Sequence, residues 1–407
     1  MPGLLYPAYQ KFYSALQNLK RFDKENNFFD NISSLDSFLS EYRSTTLVMQ
    51  KSLGDTEYKD VYKEVSKGIW DPFFNDQRVK TVHLHPIEIA KQINITIYLP
   101  GTNFDIQTKT FTVENDMPLS SLIDSLKVFF NKINNTEVFF SADFTFFEKD
   151  SGADLWEKLI DGISTMQKFM DDMYTRIGEK CHLCEELRKK INEFGLTLLP
   201  KDFFLVNDYV YYPQKDEFER AGRLAITFPG INQKSSHRFP IKTFMDAFGN
   251  VPNVSIFEKF MLLNCVIGTS DLMPTLMTIY NDETFEMDIF HADIKTTIYR
   301  KINEVSKKIA TEDIAEVYFM GTYVFVDYKD ELLKLSSKER LARAQGEHLV
   351  FMKVDSNLNE AECVFEEEHI HEIGYVFKQI QCGKKNQLNI GKLNMTPIIE
   401  AFKNRKN

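Results

Sequence analysis

The chain has 407 residues, 43% of them apolar and 13% aromatic, and carries a formal net charge of −10. This length exceeds one typical core and predicts two domains, while the apolar content excludes large-scale disorder. The negative charge excludes a protein that coats nucleic acid by bulk electrostatics, but leaves room for one local basic patch.

Residues 4–85 read as helical. Within ISSLDSFLSEYRSTTLVMQKSL the positions Leu35, Phe38, Leu39, Tyr42, Thr46, Met49 and Leu53 form a helical stripe, with Ser33 or Ser34 as N-cap and Gly54 as stop. A shorter helix is expected from Thr56 to about Gly68. Asp71-Pro72 opens another, with Pro72 at its first position; it carries Phe73, Phe74, Gln77 and Arg78 and ends before Pro86. The period then changes. INITIYLPG (93–101) alternates as a strand and FDIQTKTFTV (104–113) answers it across a hairpin. PLSSLIDSLKVFFNKI reads as a short helix and EVFFSADFTFFE as a strand. From about Gly152 to Glu193 the chain is helical again, as one long helix with a soft spot at Gly178.

These readings define a mostly helical domain over 1–195 with a β insertion at about 93–148. Strand-like runs and helices then alternate over 196–407, predicting an antiparallel sheet with helices on one side and an α+β class overall. The basic tail KNRKN reads as a frayed end. The five cysteines are scattered and odd in number, so they form no disulfide framework. No run reaches the roughly 18 uninterrupted apolar residues of a membrane span. The N-terminal MPGLLYPAYQKFYSALQNLK lacks a signal-peptide pattern. The expected setting is a reducing cytoplasm, with no membrane.

Several motifs invite chemistry. His83-Leu84-His85 on a strand would put both imidazoles on one face, and His369-Ile370-His371 repeats the spacing. A catalytic zinc also needs a third protein ligand, so a zinc hydrolase is the third-ranked reading. Cys181-His182-Leu183-Cys184 lies in helical sequence, where its thiols stand one turn apart and suit neither a zinc knuckle nor a thioredoxin-type junction. Gly268-Thr269-Ser270-Asp271-Leu272-Met273 has Met273 where magnesium-dependent nucleotidyl transfer needs a second carboxylate. No phosphate-cradling glycine loop occurs.

The stretch FFNDQRVKTVHLHPIE is richer. Arg78 and His83 give R-x4-H, and Arg78 with His85 gives R-x6-H. An imidazole can move the proton of a ribose 2′-OH or of the leaving 5′-oxygen. A guanidinium fixes and neutralises the phosphate as charge builds on it. Such a pair needs no metal and no cofactor.

A compact set of helices ending in R-x4–6-H resembles the HEPN superfamily. The likeness includes SFLSEYRSTTLVMQ with Arg43, the aromatic run WDPFF before the motif, and the HLHP exit. It covers roughly residues 5–90, or 5–195 if the long helix completes the bundle. The resemblance implies a metal-independent endoribonuclease with RNA as substrate. Its catalytic residues would be Arg78 and His83, with His85, Lys80, Gln77 and Arg43 as supporting candidates. It also implies a homodimer in which two motifs face one cleft, and a toxin or anti-phage role with an antitoxin or phage-derived partner. Val79 stands where active members usually carry Asn, Asp or His. The alternative is therefore a catalytically inactive dimerisation or binding module. Residues 196–407 lie outside the resemblance and are expected to sense or regulate.

Overall fold

The structure, a computed structural model, describes residues 3–69, 71–100, 104–113, 119–131, 136–222, 224, 238–247, 249, 253–267, 273–325, 335–343, 346–370, 374–383 and 395–406. Four helices open the chain: α1 (Tyr6–Leu19), α2 (Phe28–Leu53), α3 (Lys59–Val65) and α4 (Pro72–His83). Every residue of the predicted α2 stripe, from Leu35 to Leu53, is buried. The helix starts earlier than its serines suggest, because Asn27 supplies the cap by accepting from the Asp30 backbone N–H at 2.8 Å.

Next come β1 (Ile89–Tyr98), β2 (Asp105–Val113), α5 (Leu119–Phe130) and β3 (Val138–Glu148). They are followed by α6 (Leu155–Ile177), α7 (His182–Asn192), α8 (Gly195–Leu198), α9 (Lys201–Leu205), β4 (Val206–Tyr212) and β5 (Glu217–Arg220). The expected long helix is two helices. Gly178 ends α6 at φ +65°, a left-handed conformation that glycine adopts without strain. The five strands form an antiparallel sheet in the order β2-β1-β3-β4-β5, so this sheet continues past residue 195. α1, α2, α4, α6 and α7 share one apolar core with it.

The rest of the chain holds β6 (Phe239–Pro240), α10 (Ile241–Asp246), α11 (Ile256–Ile267), β7 (Thr275–Tyr280), β8 (Thr284–Ile289), α12 (Lys295–Thr311) and β9 (Ile314–Phe325). α13 (Ser337–Leu341), β10 (Gly346–Asp355), β11 (Glu360–Ile370), β12 (Gly374–Gly383) and α14 (Thr396–Lys406) follow. Its antiparallel sheet runs β12-β11-β10-β9-β7-β8-β6. The protein is thus α+β, as the alternation of periods predicts. Helices do not keep to one side, however. Along β9, Val317 and Phe319 pack into the core that includes α12 and α14, whereas Tyr318 and Met320 pack with α10 and α11. Both faces of these strands are apolar, so both need cover.

α12 joins the two sheets. Its Tyr299 packs with Tyr98, Phe139 and Val210 of the first sheet, while Ile302, Val305 and Ile309 enter the core of the second. Cys181, Cys184 and Cys265 are free. Cys363 is disulfide-bonded, a bond that the odd, scattered cysteines do not predict. Among the described residues no helix is long and apolar enough to cross a membrane.

Candidate functional site

α4 carries the Arg–His motif, and its position follows from three local choices. Asp71 caps the helix through the Phe73 backbone N–H at 2.9 Å and pairs with Lys158 of α6 at 2.9 Å. Pro72 occupies the first turn, where a missing N–H goes unnoticed. Phe74 then anchors the helix, its ring centroid 4.7 Å from that of Tyr42. That ring lies over Gly162 of α6, and the Tyr42 hydroxyl donates to the Gly162 carbonyl at 2.9 Å. A Cβ at Gly162 would stand 2.3 Å from Phe74 Cζ. Gly162→Ala should therefore displace α4 and destabilise the protein by about 1–3 kcal/mol, measured by urea unfolding. Wild-type stability in that variant would show that α4 is not seated through Phe74.

The predicted site residues divide into those held in the fold and those left open. Gln77 is buried and its Oε1 has no hydrogen-bond partner. Lys80 is bound to Asp150 at 2.5 Å with Glu148 at 3.9 Å, so its charge is already matched. The hydrogen bond to Asp150 is the main cause of its raised pKa. His85 Nδ1 lies 2.9 Å from the Pro86 carbonyl oxygen and 3.9 Å from Glu88. Asp36 and Asp150 also act on His85 electrostatically, and Asp36 accepts from the Ile87 N–H at 3.0 Å. These carboxylates would repel a phosphate that approached the ring.

Arg78 is different. It is half-buried, its Nε is buried without a hydrogen-bond partner, and among the described residues no carboxylate pairs with it. Its neighbour is another cation. Arg43 of α2, which donates to Thr46 Oγ1 at 2.6 Å, has a pKa lowered first by burial and next by Arg78. Two guanidiniums brought together on a partly dry surface favour an anion between them.

His83 is the last residue of α4 and is exposed. It therefore does not sit on a strand with His85, and the paired-imidazole geometry of the zinc reading is absent. Five helical positions separate Arg78 and His83, placing them roughly 140° apart around the axis and about 7.5 Å along it. Both lie within the continuous helix α4, whose regular geometry keeps them apart in one chain. His83 instead shares a face with Val79, which is 41% exposed, beside Val82, which is 50% exposed. Leu84 follows at 73% exposure.

Among the described residues no group of three or more His, Cys, Asp or Glu side chains is placed to hold a metal. Trp70, His371 and residues 268–272 lie outside the described residues. The CHLC motif opens α7 rather than lying inside a helix, with Cys181 at the N-cap. Sequence reasoning missed Asp36, Glu148 and Asp150, which reach the motif only through the fold and carry no local signal.

The described residues define an α+β protein with a half-buried arginine pair on its helical layer. No known protein family, curated protein or solved structure matches the chain.

Proposed function

We propose that the protein is a metal-independent endoribonuclease of HEPN type, acting in the cytoplasm as a toxin or anti-phage effector. The observation that carries this reading is the unpaired Arg78 guanidinium held beside Arg43. A half-buried guanidinium with no carboxylate partner among the described residues, set beside a second arginine, suits a phosphodiester, and it offers more where charge grows on the phosphate. His83, exposed on the same helix, would exchange the proton with the 2′-OH or the 5′-oxygen.

The wide angle between Arg78 and His83 makes a composite site necessary, and Val79, Val82 and Leu84 give an apolar surface for a second copy. An antitoxin or phage-derived component would engage the C-terminal sheet, which would serve as the sensing half. We expect a homodimer through α4, with Val82→Asp giving a folded monomer that no longer cleaves RNA. Sedimentation and cleavage should be lost together. A wild-type monomer that cleaves RNA would sink the composite site.

The same angle, together with the neutralised Lys80, favours a second reading: an RNA-binding module without catalysis. Binding of a single-stranded RNA that depends on Arg78 and Arg43, with no cleavage at any enzyme concentration, would select it.

A further inference from the structure

A cavity lies away from α4. It occupies about 200 Å³ between the C-terminal end of α1, the loop that follows, β3, α6, α8 and α9. Its wall is largely apolar, with Leu19, Phe22, Phe146, Leu159, Leu196 and Phe204 among its lining residues. Protein interiors are close-packed, and an apolar void of this size forfeits contacts on every side. Apolar stretches of wall hold water poorly, and an apolar cavity of roughly 150 Å³ already admits benzene.

The cavity is kept open by polar ties around it. Lys24 reaches across from the α1–α2 loop and donates to the carbonyls of Phe203 at 3.3 Å and Val206 at 3.1 Å. Asn31 fixes the same loop, exchanging hydrogen bonds with the Asp23 backbone at 2.9 and 3.1 Å. These bonds hold the two sides at a set distance without filling the space, which is the condition for a preformed pocket.

Ring and charge define what would fit. Phe22 meets Phe146 edge-on at 4.9 Å, and Trp156 meets Phe204 at 5.1 Å, so the wall is rich in aromatic faces and edges. These suit a flat ring system, which packs offset or edge-to-face against them. The polar lining comprises Lys20, Asp23 and Lys24. Lys24 is engaged as above, and Asp23 accepts from the Glu25 N–H at 2.9 Å. Lys20 is exposed and has no ion-pair partner among the described residues.

We propose that this cavity is a binding site for a small bicyclic aromatic molecule bearing one anionic group, with its rings among Phe22, Phe146, Trp156 and Phe204 and its anion at Lys20. The site is independent of the ribonuclease reading.

The probes are 2-naphthoate and its uncharged analogue 2-naphthol, titrated calorimetrically into the full chain. Both should bind saturably at one site per chain. Leu159→Trp, which fills the cavity, should remove binding of both while circular dichroism and melting temperature show an intact fold. Leu196→Trp, at a half-buried position on α8, provides the same test if the first variant misfolds. Lys20→Met should weaken naphthoate by about two- to fivefold and leave naphthol unchanged. Absence of saturable binding by both probes, or wild-type binding in the folded filled variants, would overturn the site. Equal naphthoate affinity in Lys20→Met would overturn the anionic assignment.

Discussion

Arg78→Ala should lower RNA cleavage by about 10²–10³-fold, the usual consequence of removing one preorganised group that stabilises transition-state charge. Its fold should survive, because Arg78 makes no ion pair that the core would miss. Surface changes of that kind usually stay within about 0.5 kcal/mol. Arg78→Lys should recover little, since an ammonium lacks the planar fork that grips a phosphate on two oxygens. His83→Ala should cost about 10²–10⁴-fold, the range for general acid–base help, and the double variant should be little worse than the poorer single one. His85→Ala should do far less, because the His85 ring already meets the Pro86 carbonyl and carboxylates. Cleavage should persist in EDTA and leave 2′,3′-cyclic phosphate or 3′-phosphate ends. Activity that EDTA removes, or that Arg78→Ala leaves intact, would end the reading.

Much of the N-terminal architecture is legible because its signals are local. The α2 stripe repeats with the helical period over seven buried positions, and Asp71-Pro72 is both a cap and a first-turn residue. The β1–β2 hairpin shows in its alternation, and β1 keeps a strict buried and half-buried rhythm through Ile93 and Ile95. What stays hidden depends on chain segments meeting from far away. The first sheet gains β4 and β5 after a stretch of helices, and nothing in INITIYLPG announces that β3 will pair with both β1 and β4. The double-sided cover of the second sheet is likewise invisible, because a strand buried on both faces reads simply as an apolar run.

The candidate site shows the same division. Sequence spacing singles out Arg78 and His83, but it cannot tell a free arginine from a paired one. The fold makes that distinction by matching Lys80 to Asp150, 70 positions away, while Arg78 lies beside Arg43.

Arg300→Ala should be the most damaging single change to stability, destabilising by about 3–5 kcal/mol in chemical unfolding. Arg300 lies at the junction of the two sheets with its side chain 11% exposed. Its Nε and a terminal nitrogen each reach Asp208 at 3.0 Å, and Nη1 reaches Asp202 at 3.0 Å and Glu304 at 2.8 Å. Asp208 also accepts from Ser141 of β3 at 2.7 Å, so one cluster ties α12 to both β3 and β4. Truncation would leave Asp208, 5% exposed, as a buried charge with its main partner gone. Breaking such a pair is far costlier than replacing it whole, so Arg300→Met combined with Asp208→Asn should recover most of the loss. The acid arm gives an independent check. Burial pushes the Asp202 carboxyl up, but Lys301 and then Arg300 outweigh it and hold the group well below the ordinary carboxylate range. A depressed folded-state pKa adds stability that is present above about pH 4 and is lost as pH falls below it. In Arg300→Ala the depression should shrink, flattening the stability–pH curve below pH ~4. A variant within about 1 kcal/mol of wild type, with an unchanged acid arm, would mean that apolar packing around Tyr299 alone holds the halves together.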